Sequence, residues 1–188
     1  MNIFYLHEDP EISAQMHCDK HVVKMIIEYA QMLSTAHRML DGKLMMIPSK
    51  SGKRMIKHYD LFEGADDLEA EYAYYKAVHY NHPCNVWVRE SNKNYLYLYR
   101  MFYALCEEYR HRYGRFHMTD NKLRSALWVF PKNIPYKPFS APPQAMPDYC
   151  KKPNVIDAYR TYYIKEKKSF AKWTKRKVPY WFWTEDVA

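Results

Sequence analysis

Apolar residues recur along most of this chain at helical spacing, and the pattern breaks where proline, glycine or a polar cluster falls. The apolar run at residues 2–6 predicts a strand or a buried extended lead-in, ended by His7-Glu-Asp-Pro10. No proline or glycine interrupts residues 11–40; Pro10 stands just ahead and Asp41-Gly42 just behind, which predicts one long helix. Residues 43–57 read as a basic surface loop with a mobile tip at 49–54, and residues 66–78 are helix-compatible. The chain turns at Asn81-His82-Pro83, because a residue before proline avoids helical geometry. Ser91 is placed to cap a helix over 92–113 ended by Gly114, and Thr119 or Asp120 to cap another stopping at Pro131. Seven prolines in the 23 residues 131–153 predict an extended segment that lies against something or hangs free. Asn154 caps a last helix to about Trp173, followed by an aromatic tail. The sum is an all-α fold, or nearly so: a single domain over 1–188 with about five helices and at most one or two short strands.

Composition narrows the function. The chain has 188 residues, and its four glycines form neither a G-x-G-x-x-G nor a G-x-x-x-x-G-K loop, which excludes Rossmann and P-loop nucleotide enzymes. A formal charge of +8 and a pI near 9.1 favour a polyanionic partner, nucleic acid first. Of that charge, +6 falls in residues 151–188, so Lys165, Lys168, Lys172, Lys175, Arg176 and Lys177 are candidates for the DNA backbone, a plain solvated face being the alternative. Four scattered cysteines without C-x-x-C, no leader and no 18-residue apolar span predict free thiols and a cytoplasmic protein without a membrane partner, in the host cell if phage-encoded.

On the long helix, His17, His21, Lys24, Glu28, Gln31 and Thr35 follow at spacings of three and four, stacking on one face. The remaining circumference is largely apolar, so the helix is expected to be buried and its polar stripe to wall a cleft. Glu28 is the candidate general acid/base or cation stabiliser; Lys24 four residues earlier pairs with it, His21 and His17 tune or orient, and Gln31 and Thr35 bind substrate. A solvated amphipathic face is the alternative. So is a metal site of His17 and His21 completed by His79 or His82, though the i, i+4 spacing alone is weak; no metal and no cofactor is expected.

A second constellation spans residues 79–95. Asn81, His82, Trp87, Arg89 and Asn94 are candidates for substrate binding: an indole stacks on an extruded base, and a guanidinium suits phosphate or a base edge. Trp87 and Arg89 are two apart and would point the same way if that segment is extended. A capped loop with a core tryptophan and a surface arginine is the alternative. Tyr95, Leu98, Phe102, Leu105 and Tyr109 form a stripe assigned to the core, and residues 180–183 an apolar end that docks on the domain or meets a partner.

An apolar lead-in, D-K-H at residues 19–21 with Glu28 seven beyond His21, Y-N-H-P at 80–83 and E-Y-R-H-R-Y-G at 108–114 together resemble the phage and bacterial pyrimidine-dimer DNA glycosylase/AP lyases of the endonuclease V type. The Q-M-H-C-D-K-H-V-V-K-M and P-P-Q-A-M-P segments also look like an abundant group of tailed-phage proteins. The resemblance implies a compact helical enzyme that bends DNA and extrudes a pyrimidine nucleotide, with Glu28 at the position of the catalytic carboxylate. It also implies attack by the chain's own α-amine on the sugar C1′ to give a Schiff base. Asn2 is too large to favour removal of the initiator methionine, so the nucleophile would be the amine of Met1 itself. Two alternatives stand beside this one. A phage amino acid:DNA transferase would use an amino acid or amine as co-substrate against an activated 5-hydroxymethyl pyrimidine; a non-catalytic DNA-binding protein would act through the basic tail.

Overall fold

A computed structural model describes residues 1–61 and 73–183. The elements run α1 (Pro10–Met16), α2 (Asp19–Asp41), β1 (Lys43–Pro48), β2 (Met55–Asp60), α3 (Pro83–Glu90), α4 (Asn92–Tyr113), α5 (Met118–Trp128) and α6 (Val155–Lys167), with 3-10 turns at Asp148–Cys150 and Tyr180–Phe182. The fold is mostly helical, with one two-stranded antiparallel sheet. Helices α2 and α4 form its centre, with α1, α3 and α5 packed around them. Tyr95, Leu98, Phe102, Leu105 and Tyr109 of α4 are buried, as their spacing predicts. Among the described residues no helix is long and apolar enough to cross a membrane.

The expected helix over 11–40 is broken in two at His17 and Cys18, both of which are extended. Neither proline nor glycine causes this. The His17 ring occupies the Ser13 carbonyl at 2.7 Å, the acceptor that a continuing helix would give to the His17 backbone N–H. Asp9 caps α1 by accepting from the Glu11 and Ile12 amides. Gly42 ends α2 where its N–H reaches the Arg38 carbonyl; a Cβ there would meet that oxygen at 2.4 Å, which only glycine avoids.

The lead-in at residues 2–6 has no regular secondary structure and pairs with no strand among the described residues. Ile3, Phe4, Tyr5 and Leu6 are buried, and side chains satisfy the backbone: Phe4 N–H donates to the Tyr29 hydroxyl, Leu6 N–H to Ser13 Oγ, and Arg160 Nε donates to the Leu6 carbonyl. Residues 43–60 form a hairpin where a loop was expected, with Ile47 opposite Ile56 and the turn at 49–54. Of the helix expected over 66–78, residues 66–72 lie outside the described residues, and residues 74–78 are not helical.

Ser91 and Asn154 cap α4 and α6 as predicted, and Gly114 closes α4 with φ +69°. His117 rather than Thr119 or Asp120 caps α5, accepting from the Thr119 amide. Helix α6 stops at Lys167, six residues short of Trp173, which instead donates its indole N–H to the Met16 carbonyl. The proline-rich segment lies against α3 and α4: Ser91 and Asn94 bond its backbone at Lys137, Pro138 and Ser140. Of the aromatic end, Trp181 and Phe182 dock on the core while Tyr180 and Trp183 are exposed.

Candidate active site

The lead-in carries the start of the chain onto α2. There the Met1 α-amino nitrogen lies 3.9 Å from Glu28 Oε2, and Lys24 Nζ lies 3.2 Å from Glu28 Oε1. The Glu28 side chain is 16% exposed and that of Lys24 67%, so the carboxylate is largely covered while the lysine reaches it from solvent.

The Y-N-H-P turn packs against the same end of α2. Thr35 is buried; its hydroxyl donates to the Gln31 carbonyl at 2.7 Å and accepts the Val78 N–H at 3.2 Å, fixing the chain just before the turn. Asn85 of α3 secures the turn from the other side, donating to the Val78 and His79 carbonyls at 2.9 and 3.0 Å and touching the Met1 sulfur at 3.6 Å. Between these holds, His79 takes φ +45°, a left-handed conformation unusual for a non-glycine residue. Asn85 Oδ1 is buried and has no hydrogen-bond partner among the described residues.

His82 caps α3, its Nδ1 accepting the Cys84 N–H at 3.2 Å, so a neutral ring carries its proton on Nε2. Burial, then the positive chain terminus, then His79 hold His82 below the usual histidine range. A neutral imidazole, the α-amine and a carboxylate thus converge from three elements. The same terminus and Glu28 act on the Cys84 thiol, which burial pushes up to about 11.

Other predicted residues fall elsewhere. His17 lies between α1 and α2, off the stripe, wholly buried; it bonds the Ser13 carbonyl and the Tyr29 hydroxyl, and burial takes its pKa to about 4. His21 is buried against the Phe4 ring with its Nδ1 on the Tyr163 hydroxyl, and burial takes it to about 3. Both are core histidines here. They do not share one helix, and among the described residues no group of three His, Cys, Asp or Glu is arranged to hold a metal ion. Nor is α2 apolar to solvent-free depth all round, since Val23 and Ile27 are exposed beside Lys24.

Trp87 and Arg89 lie in a helix, because Pro83 and the His82 cap start one, and residues two apart on a helix diverge. Trp87 is buried against Tyr97 and Phe139 with its indole N–H on Ser140. Arg89 is half-buried, and burial lowers its pKa against the pull of Glu90; its Nη1 has no partner among the described residues. Asn94 is buried and bonds Trp87 and Ser140, while Asn81 is exposed beside His82. Of the C-terminal cations, Arg176 grips Glu108 at 2.8 Å and Lys175 the His111 carbonyl; Lys165, Lys168, Lys172 and Lys177 are exposed.

A family model described as pyrimidine dimer DNA glycosylase matches residues 1–122, which hold every group around the Met1–Glu28 pair. The chain belongs to this family. No curated protein and no solved structure matches it. Family membership makes it a glycosylase-like protein acting on DNA. The matched span ends within α5, so the proline-rich segment, α6 and the aromatic end lie beyond it. One group of this candidate site went unforeseen from sequence. Asn85 carries no signal in sequence; the nearness of Met1 to Glu28 follows from the family resemblance alone.

Proposed function

We propose that the protein is a DNA glycosylase/AP lyase acting on a pyrimidine nucleotide extruded from duplex DNA, with the Met1 α-amine as nucleophile and Glu28 as its acid–base partner. The observation that carries this reading is the 3.9 Å separation between the Met1 nitrogen and Glu28 Oε2. Glu28 takes a proton from the ammonium, and the freed amine attacks C1′. The N–C1′ bond forms as the bond to the base breaks, the base leaving with the electron pair and taking up a proton. The new secondary ammonium sheds the proton that the base takes up; Glu28 then gives its own proton to O4′ as the C1′–O4′ bond breaks, which opens the sugar ring, forms the Schiff base and returns Glu28 to the carboxylate. The positive nitrogen of the Schiff base acidifies C2′–H; Glu28 accepts that proton, the 3′ phosphate departs with the C3′–O pair, and water then releases the amine. Lys24 pairs with the carboxylate and orients it, and His82, Asn81 and Gln31 flank the pair as the substrate contacts. The exposed C-terminal lysines supply sequence-blind grip on the backbone.

Borohydride trapping on an oligonucleotide with one abasic site tests this. A covalent adduct mapped to Met1 is expected from the wild type and none from protein whose α-amine is acetylated. No adduct from protein with a free Met1 amine would overturn the lyase. Incubation of 5-hydroxymethyl-pyrimidine pyrophosphate DNA with amino acids, followed by nucleoside analysis, is expected to leave the nucleosides unchanged; an aminated nucleoside would replace this reading with the transferase.

A further inference from the structure

The hairpin of residues 43–60 leaves the body of the protein beside the site. At its base, buried Arg38 donates to the carbonyls of Tyr59, Tyr74 and Tyr75, and the Tyr59 ring meets that of Tyr80 edge-on in the Y-N-H-P turn. Six residues a strand give it a reach of about 20 Å.

Its two faces differ. Alternation and the register Leu44–Tyr59, Met46–Lys57 and Pro48–Met55 put these six side chains together. On that face Leu44 is 49% exposed and Met46 and Met55 are each 53% exposed. On the opposite face Ile47, Ile56, His58 and Asp60 are partly covered, while Lys43 is exposed and Met45 is 42% exposed. An exposed apolar strip on a two-stranded ribbon is a surface meant to be covered. Charge says by what: residues 43–58 hold five Lys/Arg and no Asp or Glu, and Lys50, Lys53 and Arg54 gather around a shallow basin at the tip. A cationic rim around an apolar strip complements phosphates flanking stacked bases.

We propose that this hairpin is a DNA-binding arm that lies in the major groove next to the extruded nucleotide, its tip cations on phosphates and Leu44, Met46 and Met55 against the thymine methyl groups. The major groove admits a two-stranded ribbon and presents those methyls to apolar side chains. The inference rests on the reading of the chain as an enzyme of duplex DNA, and assigns the arm no part in the chemistry.

The test is the affinity of the full chain for a fluorescent duplex, measured by anisotropy across salt concentrations, with thymine or with uracil in its place. K50A/K53A/R54A is expected to reduce the slope of log affinity against log salt by about 2 to 3, roughly one per phosphate contact. L44S/M46S/M55S is expected to weaken binding about tenfold at unchanged slope. Uracil is expected to weaken the wild type several-fold and that variant not at all. Wild-type binding by both variants overturns the arm, as does an equal effect of uracil on wild type and L44S/M46S/M55S. A wild-type dimer that L44S/M46S/M55S dissociates, with DNA affinity intact, overturns it in favour of self-association. The altered side chains are exposed, and an unchanged thermal midpoint checks folding. Failure of the two readings is separable: loss of trapping by Glu28→Gln with no effect of the arm variants removes only the arm, whereas arm-dependent binding without any trapped adduct removes only the lyase.

Discussion

The Met1 nitrogen and the Glu28 carboxylate meet because two separate pieces of packing converge on them. The lead-in is held by Ser13 of α1 and by Tyr29, the residue next to Glu28 on α2, so its first residue emerges beside the Glu28 carboxylate. Glu28 itself contributes little to that packing, since its partners are a chain terminus and a lysine out in solvent. Glu28→Gln is therefore expected to slow strand cleavage at an abasic site by about 10² to 10⁴ fold, the usual worth of general acid–base catalysis, while changing stability by less than about 1 kcal/mol. Single-turnover cleavage and a urea melt on the same preparation check both halves. A loss of several kcal/mol would mean that the carboxylate is structural.

Asn85 connects the turn to the side chain of Met1. Asn85→Ala removes both hydrogen bonds to the Val78 and His79 carbonyls and leaves those oxygens short of donors, an expected cost of about 1–3 kcal/mol. His79 would lose the restraint that holds its left-handed backbone. Because Asn85 also touches Met1, the yield of borohydride adduct is expected to fall well below that of a control surface variant of equal stability. Equal adduct yield at equal folded fraction would make Asn85 a purely structural residue.

Helical periodicity made Glu28 and Lys24 legible, since i, i+4 pairs on a helix meet whatever surrounds them. The same periodicity misplaced His17, because the break before α2 is made by a side-chain bond to Ser13 that has no proline or glycine signature. The hairpin was hidden for a different reason. Its Leu44 and Met46 face is apolar yet exposed, so residues 43–57 show no clean alternation of apolar and polar positions, the usual mark of a half-buried strand. Trp87 and Arg89 were misjudged through the local geometry: a proline with a capping histidine begins a helix as readily as it ends a turn. The α-amine at Glu28 is a tertiary fact, set by how the lead-in crosses α2, and no spacing along the chain encodes it.

The buried histidines give the fold a steep dependence on acid. Burial lowers His17 and His37 to about 4 and His21 to about 3, against about 6.5 in an unfolded chain. Below pH 6.5 the unfolded state binds protons that the folded state refuses, so stability is complete above 6.5 and is lost as pH falls toward 4. Each contributes on the order of 3 kcal/mol over that window. The unfolding free energy is expected to decline between pH 6.5 and 4.5 before most carboxylates titrate, and His17→Asn, which keeps a donor for the Ser13 carbonyl, is expected to flatten the decline. A stability curve level down to pH 5 would contradict this.

One buried carboxylate within the matched span ties down the C-terminal segment that lies beyond it. Glu108 accepts from Arg112 at 2.6 Å and from Arg176 at 2.8 Å; Arg112 in turn reaches Asp19 at 2.7 Å, and Asp19 accepts from the Thr174 N–H and hydroxyl. Burial pushes the Glu108 carboxyl up, but the guanidiniums of Arg176 and Arg112 together hold it below the usual range. Removing it leaves buried Arg112 with Asp19 as its remaining carboxylate and strips Arg176 of its partner, so Glu108→Ala is expected to cost about 3 kcal/mol. Arg176→Ala removes a partner whose side chain is 32% exposed and is expected to cost about 1 kcal/mol. The two variants separate further under limited proteolysis. Arg176→Ala loosens residues 168–183 alone, whereas Glu108→Ala also frees the start of α2 through Arg112 and Asp19. Cutting near residues 170–177 is therefore expected in both, and cutting between α1 and α2 only in Glu108→Ala; protection of both sites in Glu108→Ala would show that the cluster anchors neither.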